Sequence, residues 1–76
     1  MNAIIKSYPN ADKENIYISE MFKPNEGWIK LPCSVTCNRM NIEKAKKEGA
    51  THLNIKIYSF NSVLYPDFSI NELLNN

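Results

Sequence analysis

The clearest pattern of apolar and polar positions runs from Thr51 to Phe60. Leu53, Ile55 and Ile57 alternate with His52, Asn54, Lys56, Tyr58 and Phe60, the period of two that sends successive side chains to opposite faces of a strand. One face is predicted buried and the other wet, as in a sheet with helices on one side only. A second alternation covers Ile16–Phe22. There Ile16, Ile18 and Phe22 share one side, with Glu20 as an exception, and Tyr17, Ser19 and Met21 share the other. Pro24-Asn25-Glu26-Gly27 reads as a tight turn, because proline pre-sets φ and glycine tolerates φ > 0. Trp28–Leu31 is then the returning strand, ended by Pro32, which lacks a ladder donor. Ala3–Tyr8 reads as an earlier strand stopped by Pro9-Asn10, and Val63–Tyr65 as a last one stopped by Pro66.

Two segments carry helix signals. Asn41–Glu48 has Asn41 as a candidate N-cap, Glu43 near the positive end of the dipole, Met40 and Ala45 at staple spacing, and Gly49 placed to end the helix. Its inward side is thin, Ile42 and Ala45, with the lysines solvated, so it must lie on a sheet. Near the end, Ser69-Ile70-Asn71-Glu72 is a capping box, and Phe68 with Leu73 completes a staple, predicting a short helix over Ile70–Leu74. The expected fold is α+β. It is a single domain, residues 1–76, with four to five short strands in the order β-β-β-α-β-β-α, the main helix on one face and a short C-terminal helix. The expected core is Ile4 or Ile5, Ile16, Ile18, Phe22, Trp28, Leu31, Ile42, Ala45, Leu53, Ile55, Ile57, Leu64 and Leu73. Strands flanking the main helix are compatible with parallel or antiparallel pairing.

Composition narrows the function classes. At 76 residues the chain has room for one core. Nine basic against eight acidic residues leave a net charge of +1, too little for bulk nucleic-acid binding and of the wrong sign for an acidic DNA mimic. Apolar runs are all far shorter than the roughly 18–20 residues a membrane helix needs, and Met1-Asn2-Ala3-Ile4-Ile5-Lys6 does not begin like a signal peptide. Cys33 and Cys37 are too few and too close for a secreted disulfide scaffold, which makes the cytoplasm the expected location. Asn, Lys and Ile supply 28 of the 76 residues; their AT-rich codons suggest a phage, a mobile element or a low-GC bacterium as source.

Candidate chemistry is sparse. Cys33, Cys37 and His52 fall short of the four ligands of a closed zinc site, and the cysteines stand too far apart for a two-residue redox motif. Two glycines and one histidine leave neither a phosphate loop nor a recognisable nucleophile constellation. A non-enzymatic protein with no metal and no cofactor is therefore expected. What stands out is the wet side of the long strand, where Asn54, Lys56, Tyr58 and Phe60 follow one another about 6.8 Å apart, joined by Tyr17 and Met21 if the second strand is a neighbour. Such residues are typical of protein interfaces. The lysine-rich stretch, with Lys44 and Lys47, offers a basic surface beside them. The reading is a small binding protein, encoded by a phage or mobile element, that inhibits a host complex such as a CRISPR effector. The alternatives are a single-stranded nucleic-acid platform built from Tyr58, Phe60 and the lysines, or aromatics that are simply core.

Overall fold

The computed structural model describes residues 2–75. Its centre is an antiparallel pair of long strands, β1 (Ala11–Lys23) and β3 (His52–Ser59). On the far side of β1 lies β2 (Gly27–Thr36), joined to it by the expected hairpin. Gly27 has φ +81°, which closes that turn, and the Glu26 N–H donates to the Lys23 carbonyl at 2.9 Å. Two three-residue strands, β4 (Ser62–Leu64) and β5 (Asp67–Ser69), pair end to end with the other side of β3. The strand order is β2-β1-β3-β4, with β5 also on β3, and all pairings are antiparallel. The strands flanking the main helix are thus not neighbours, because β1 lies between them.

Three helices complete the fold: α1 (Asn2–Ser7), α2 (Arg39–Lys47) and α3 (Ile70–Leu74). The α+β class and the succession of elements from the hairpin onward follow the sequence reading, with β5 added just before α3. Ala3–Tyr8 corrects it, since its residues up to Ser7 form a helix and not a strand. Its helical turn buries Ile4 completely, brings Ala3, Ile5 and Tyr8 against the core, and sets the Tyr8 ring edge-on to Phe68 at 6.4 Å. That packing outweighs the β propensity of two isoleucines.

Cap chemistry explains where α2 begins. The N-cap is Asn38, three residues ahead of the expected Asn41, and its Oδ1 accepts from the Asn41 N–H at 2.9 Å. Asn41 sits inside the helix, its amide donating to the Thr36 carbonyl at 2.8 Å. Met40 is 71% exposed, so it staples nothing. Gly49 ends the helix with φ +97°. At α3 the expected N-cap forms: Ser69 Oγ accepts from the Glu72 N–H at 3.1 Å, and Phe68 and Leu73 are buried.

The inner face of the sheet carries Ile16, Ile18, Met21, Leu53, Ile55, Ile57 and Phe68, closed over by Ile4, Ile42, Ala45, Ile70 and Leu73 from the helices. Each isoleucine or leucine buried here contributes about 1.5–3 kcal/mol. Phe22 and Trp28 are corrections to the expected core: Phe22 is half-buried and Trp28 is 44% exposed. Leu31 and Leu64 are half-buried at the core margin.

A bulge at Ser19 explains both aromatics. Ile18 pairs with Ile55 while Glu20 pairs with Asn54, so Ser19 is an extra residue opposite β3 and the alternation changes phase there. Beyond it Met21 turns inward, and Glu20 and Phe22 turn outward. Against β2 the same point pairs Ile18 with Val35 and Glu20 with Lys30. Leu31–Ser34 therefore loops out around Pro32, where the sequence predicted the end of the strand, and β2 resumes to Thr36. At the opposite edge Tyr65-Pro66 separates β4 from β5, with the Pro66 carbonyl accepting from the Ile55 N–H at 2.9 Å.

Candidate functional site

Because cross-strand partners share a face, the register defines what the outer face of the sheet presents. The first row is Trp28, Phe22 and His52, the second Lys30, Glu20, Asn54 and Asp67, the third Thr36, Tyr17 and Lys56, and the fourth Tyr58 and Val63. All three helices pack on the other side, and among the described residues no helix lies over these rows. The aromatics expected on the wet side of β3 are thus surface groups.

The first row is an edge-to-face cluster. Phe22 meets Trp28 at 5.3 Å and His52 at 6.1 Å between ring centroids. His52 Nδ1 also lies 2.9 Å from the Thr51 hydroxyl. Below it, Asn54 is fully engaged: its Nδ2 donates to Asp67 Oδ1 at 2.7 Å and to the Tyr65 carbonyl at 2.9 Å, and its Oδ1 accepts from the Ser19 hydroxyl at 2.8 Å. Asn54 therefore ties the bulge to the broken edge strand and positions its neighbours. Glu20, Trp28, Asn54 and Asp67 line a shallow hollow of about 220 Å³, so two carboxylates and an indole surround one opening.

The third row carries the cation. Lys56 Nζ lies 5.1 Å from the centroid of the Tyr58 ring, a cation–π contact, and Tyr58 meets Tyr17 edge-on at 6.2 Å. The side-chain hydrogen bond to Tyr58 is the main cause that raises the Lys56 pKa, with Tyr65 and Tyr17 adding to it; the ammonium stays charged at neutral pH. Asn15, Tyr17, Ser34, Lys56 and Tyr58 line a second hollow of about 260 Å³. Its wall is held by a polar relay: the Tyr17 hydroxyl donates to Asn15 Oδ1 at 3.2 Å and Asn15 Nδ2 donates to Asp12 Oδ2 at 2.7 Å. The Asn15 hydrogen bond, with the Glu14 N–H beside it, lowers the Asp12 pKa.

The structure thus brings together Tyr17, Asn54, Lys56 and Tyr58 from the expected set and separates the rest. Phe60 does not continue the row, because β3 ends at Ser59 and the Ser59–Ser62 pair closes a two-residue turn. Phe60 stands at the first position of that turn with φ +48° and is 96% exposed. Met21, expected beside Tyr17, faces the core. Lys44 and Lys47 lie on α2, in the helical layer on the other side of the sheet. There they border an open hollow of about 630 Å³ with Arg39, Met40 and Glu43. Sequence reasoning missed Glu20, Phe22, Trp28, Tyr65 and Asp67 as surface residues of this face. Its one available signal was Glu20, a carboxylate at an apparently inward position.

The remaining candidates for chemistry are dispersed. Cys33 is exposed on the looped-out part of β2, and Cys37 is buried, where desolvation pushes its thiol up to about 11. Among the described residues no three His, Cys, Asp or Glu side chains are grouped to hold a metal, and no helix is long and apolar enough to cross a membrane. No family model, curated protein or solved structure matches this chain.

Proposed function

We propose that this chain is a non-enzymatic binding protein whose uncovered sheet face docks another protein. The observation that carries the reading is the make-up of that face. Tyr17, Phe22, Trp28, Tyr58 and Tyr65 are gathered on one side of a sheet whose other side carries the core and the helices, and they are interspersed with charges of both signs, Lys30 and Lys56 against Glu20 and Asp67. Aromatic anchors among balanced charges suit a protein partner. A nucleic-acid platform has the weaker case. The two carboxylates in the second row repel phosphate, and the Tyr58 ring face is taken by Lys56 where a base would stack. The AT-rich composition gives the proposal its specific form, a phage or mobile-element protein acting in a host cytoplasm and inhibiting a host complex.

Affinity capture from a bacterial lysate, with and without nuclease, followed by mass spectrometry, identifies the partner. Tyr58→Ala then weakens binding of the purified partner by roughly 1–4 kcal/mol, as truncated aromatic hot spots do, and binding depends weakly on salt. A steep fall of affinity with salt, in a nuclease-sensitive complex, would replace this reading with the nucleic-acid one.

A further inference from the structure

The geometry points to a second copy of the chain as an occupant of the open face, in a two-fold, face-to-face dimer; this deepens the preceding proposal and rests on it. The face is self-complementary. Asn54 and Lys56 lie on the same strand two residues apart, so their rows are separated by about 6.8 Å. Glu20 and Asp67 flank Asn54 from the two neighbouring strands. A two-fold axis running across the strands, midway between these rows, lays the Lys56 row of each copy on the Asn54 row of the other. Each Lys56 ammonium then arrives over the partner's Asn54, between its Glu20 and its Asp67, in the hollow those residues line. The same operation sets His52 opposite Tyr58, so the ends of the face meet through rings. Both contacts occur twice, as a two-fold interface requires.

Spacing and edges agree with this arrangement. Aligned sheets pack about 10 Å apart, a separation that a lysine side chain can bridge. Association by strand addition is disfavoured, because Leu31–Ser34 loops out of β2 at one edge and Tyr65-Pro66 divides the other. Any other protein then engages the face by displacing the second copy, so its apparent affinity falls as the concentration of this chain rises.

Charge swapping tests the geometry. Sedimentation equilibrium of the intact chain should show a mass rising with concentration to twice 8.8 kDa. Lys56→Glu should weaken self-association by roughly tenfold or more, because like charges then face each other. The Glu20→Lys, Asp67→Lys double variant should do the same for the opposite reason. An equimolar mixture of the two variants should regain the dimer, since each hollow then meets its opposite charge. Circular dichroism confirms that both variants are folded. A chain that stays monomeric at every concentration, a dimer indifferent to both variants, or a mixture that fails to associate overturns the inference. If the chain is monomeric but Tyr58→Ala still loses the captured protein, the dimer fails and the binding face stands. If neither self-association nor capture depends on the face, both readings fail.

Discussion

Phe60 occupies a backbone conformation that suits glycine, and replacing it should stabilise the fold. With φ +48°, its Cβ crowds the following carbonyl, a clash that disfavours the left-handed region by roughly 1–2 kcal/mol for an L-residue. The ring offers nothing in return from within the chain, being 96% exposed. Phe60→Gly removes the clash but gives the unfolded chain more freedom, a loss of about 0.5–1 kcal/mol. Midpoint against midpoint, the balance is a gain of about 0.75 kcal/mol. For a domain of this size that is a rise in Tm of about 3–6 °C. Phe60→Ala is the control, because it discards the ring and keeps the Cβ. Its stability should lie within about 0.5 kcal/mol of the parent. Thermal and urea unfolding followed by circular dichroism measure both variants. A glycine variant no more stable than the alanine variant would refute the backbone argument.

Three other measurements address the packing. Ser69→Ala leaves the Glu72 N–H without its 3.1 Å acceptor and should destabilise the domain by about 0.5–2 kcal/mol; an unchanged urea midpoint would show that the cap carries nothing. Burial raises the Cys37 thiol from 9.0 to about 11. Folding therefore favours the protonated form, and its contribution, whole below about pH 9, is lost as pH rises to about 11, amounting to about 2–3 kcal/mol. The stability of Cys37→Ala should fall less steeply over that window, and equal slopes would refute the assignment. On the same grounds Cys37 should resist alkylation at pH 8 while exposed Cys33 reacts.

Much of this fold was legible because its elements state their chemistry locally. The β3 alternation and the Pro24–Gly27 turn each need only a few neighbouring residues and stand as read, and of the Ser69–Glu72 capping box the Ser69 cap forms. What was hidden depends on contacts distant in sequence. Ala3–Tyr8 has the composition of a strand and becomes a helix because Ile4 and Tyr8 meet α3 and β5. The phase change at Ser19 follows from the partners of β1 and cannot be deduced from β1 alone, although Glu20 at an inward position marked the place. Misreading it sent Phe22 and Trp28 to the core and took them from the site. Lys44 and Lys47 were separated from Tyr58 by a layer relation, helix above and open face below, that periodicity does not encode. Phe60 was misplaced by extending a true alternation one residue past the end of its strand.

The central position of the β1/β3 pair has a kinetic consequence. The hairpin β1/β2 and the succession from β3 to α3 are each built from contacts between near neighbours in the sequence, so each closes short loops. The pair that unites them joins Phe22 to His52 at one end and Ala11 to Ser59 at the other, the most distant strand pairing in the sheet. Chain entropy must be surrendered before Ile16, Ile18 and Met21 meet Ile57, Ile55 and Leu53 and offset that loss. Docking of the two halves should therefore be the slow step of folding, and the core is sealed from water only when it is complete. Until then each half exposes an apolar strand face, so refolding at rising protein concentration should lose most chain to aggregation before docking, as light scattering during refolding would show.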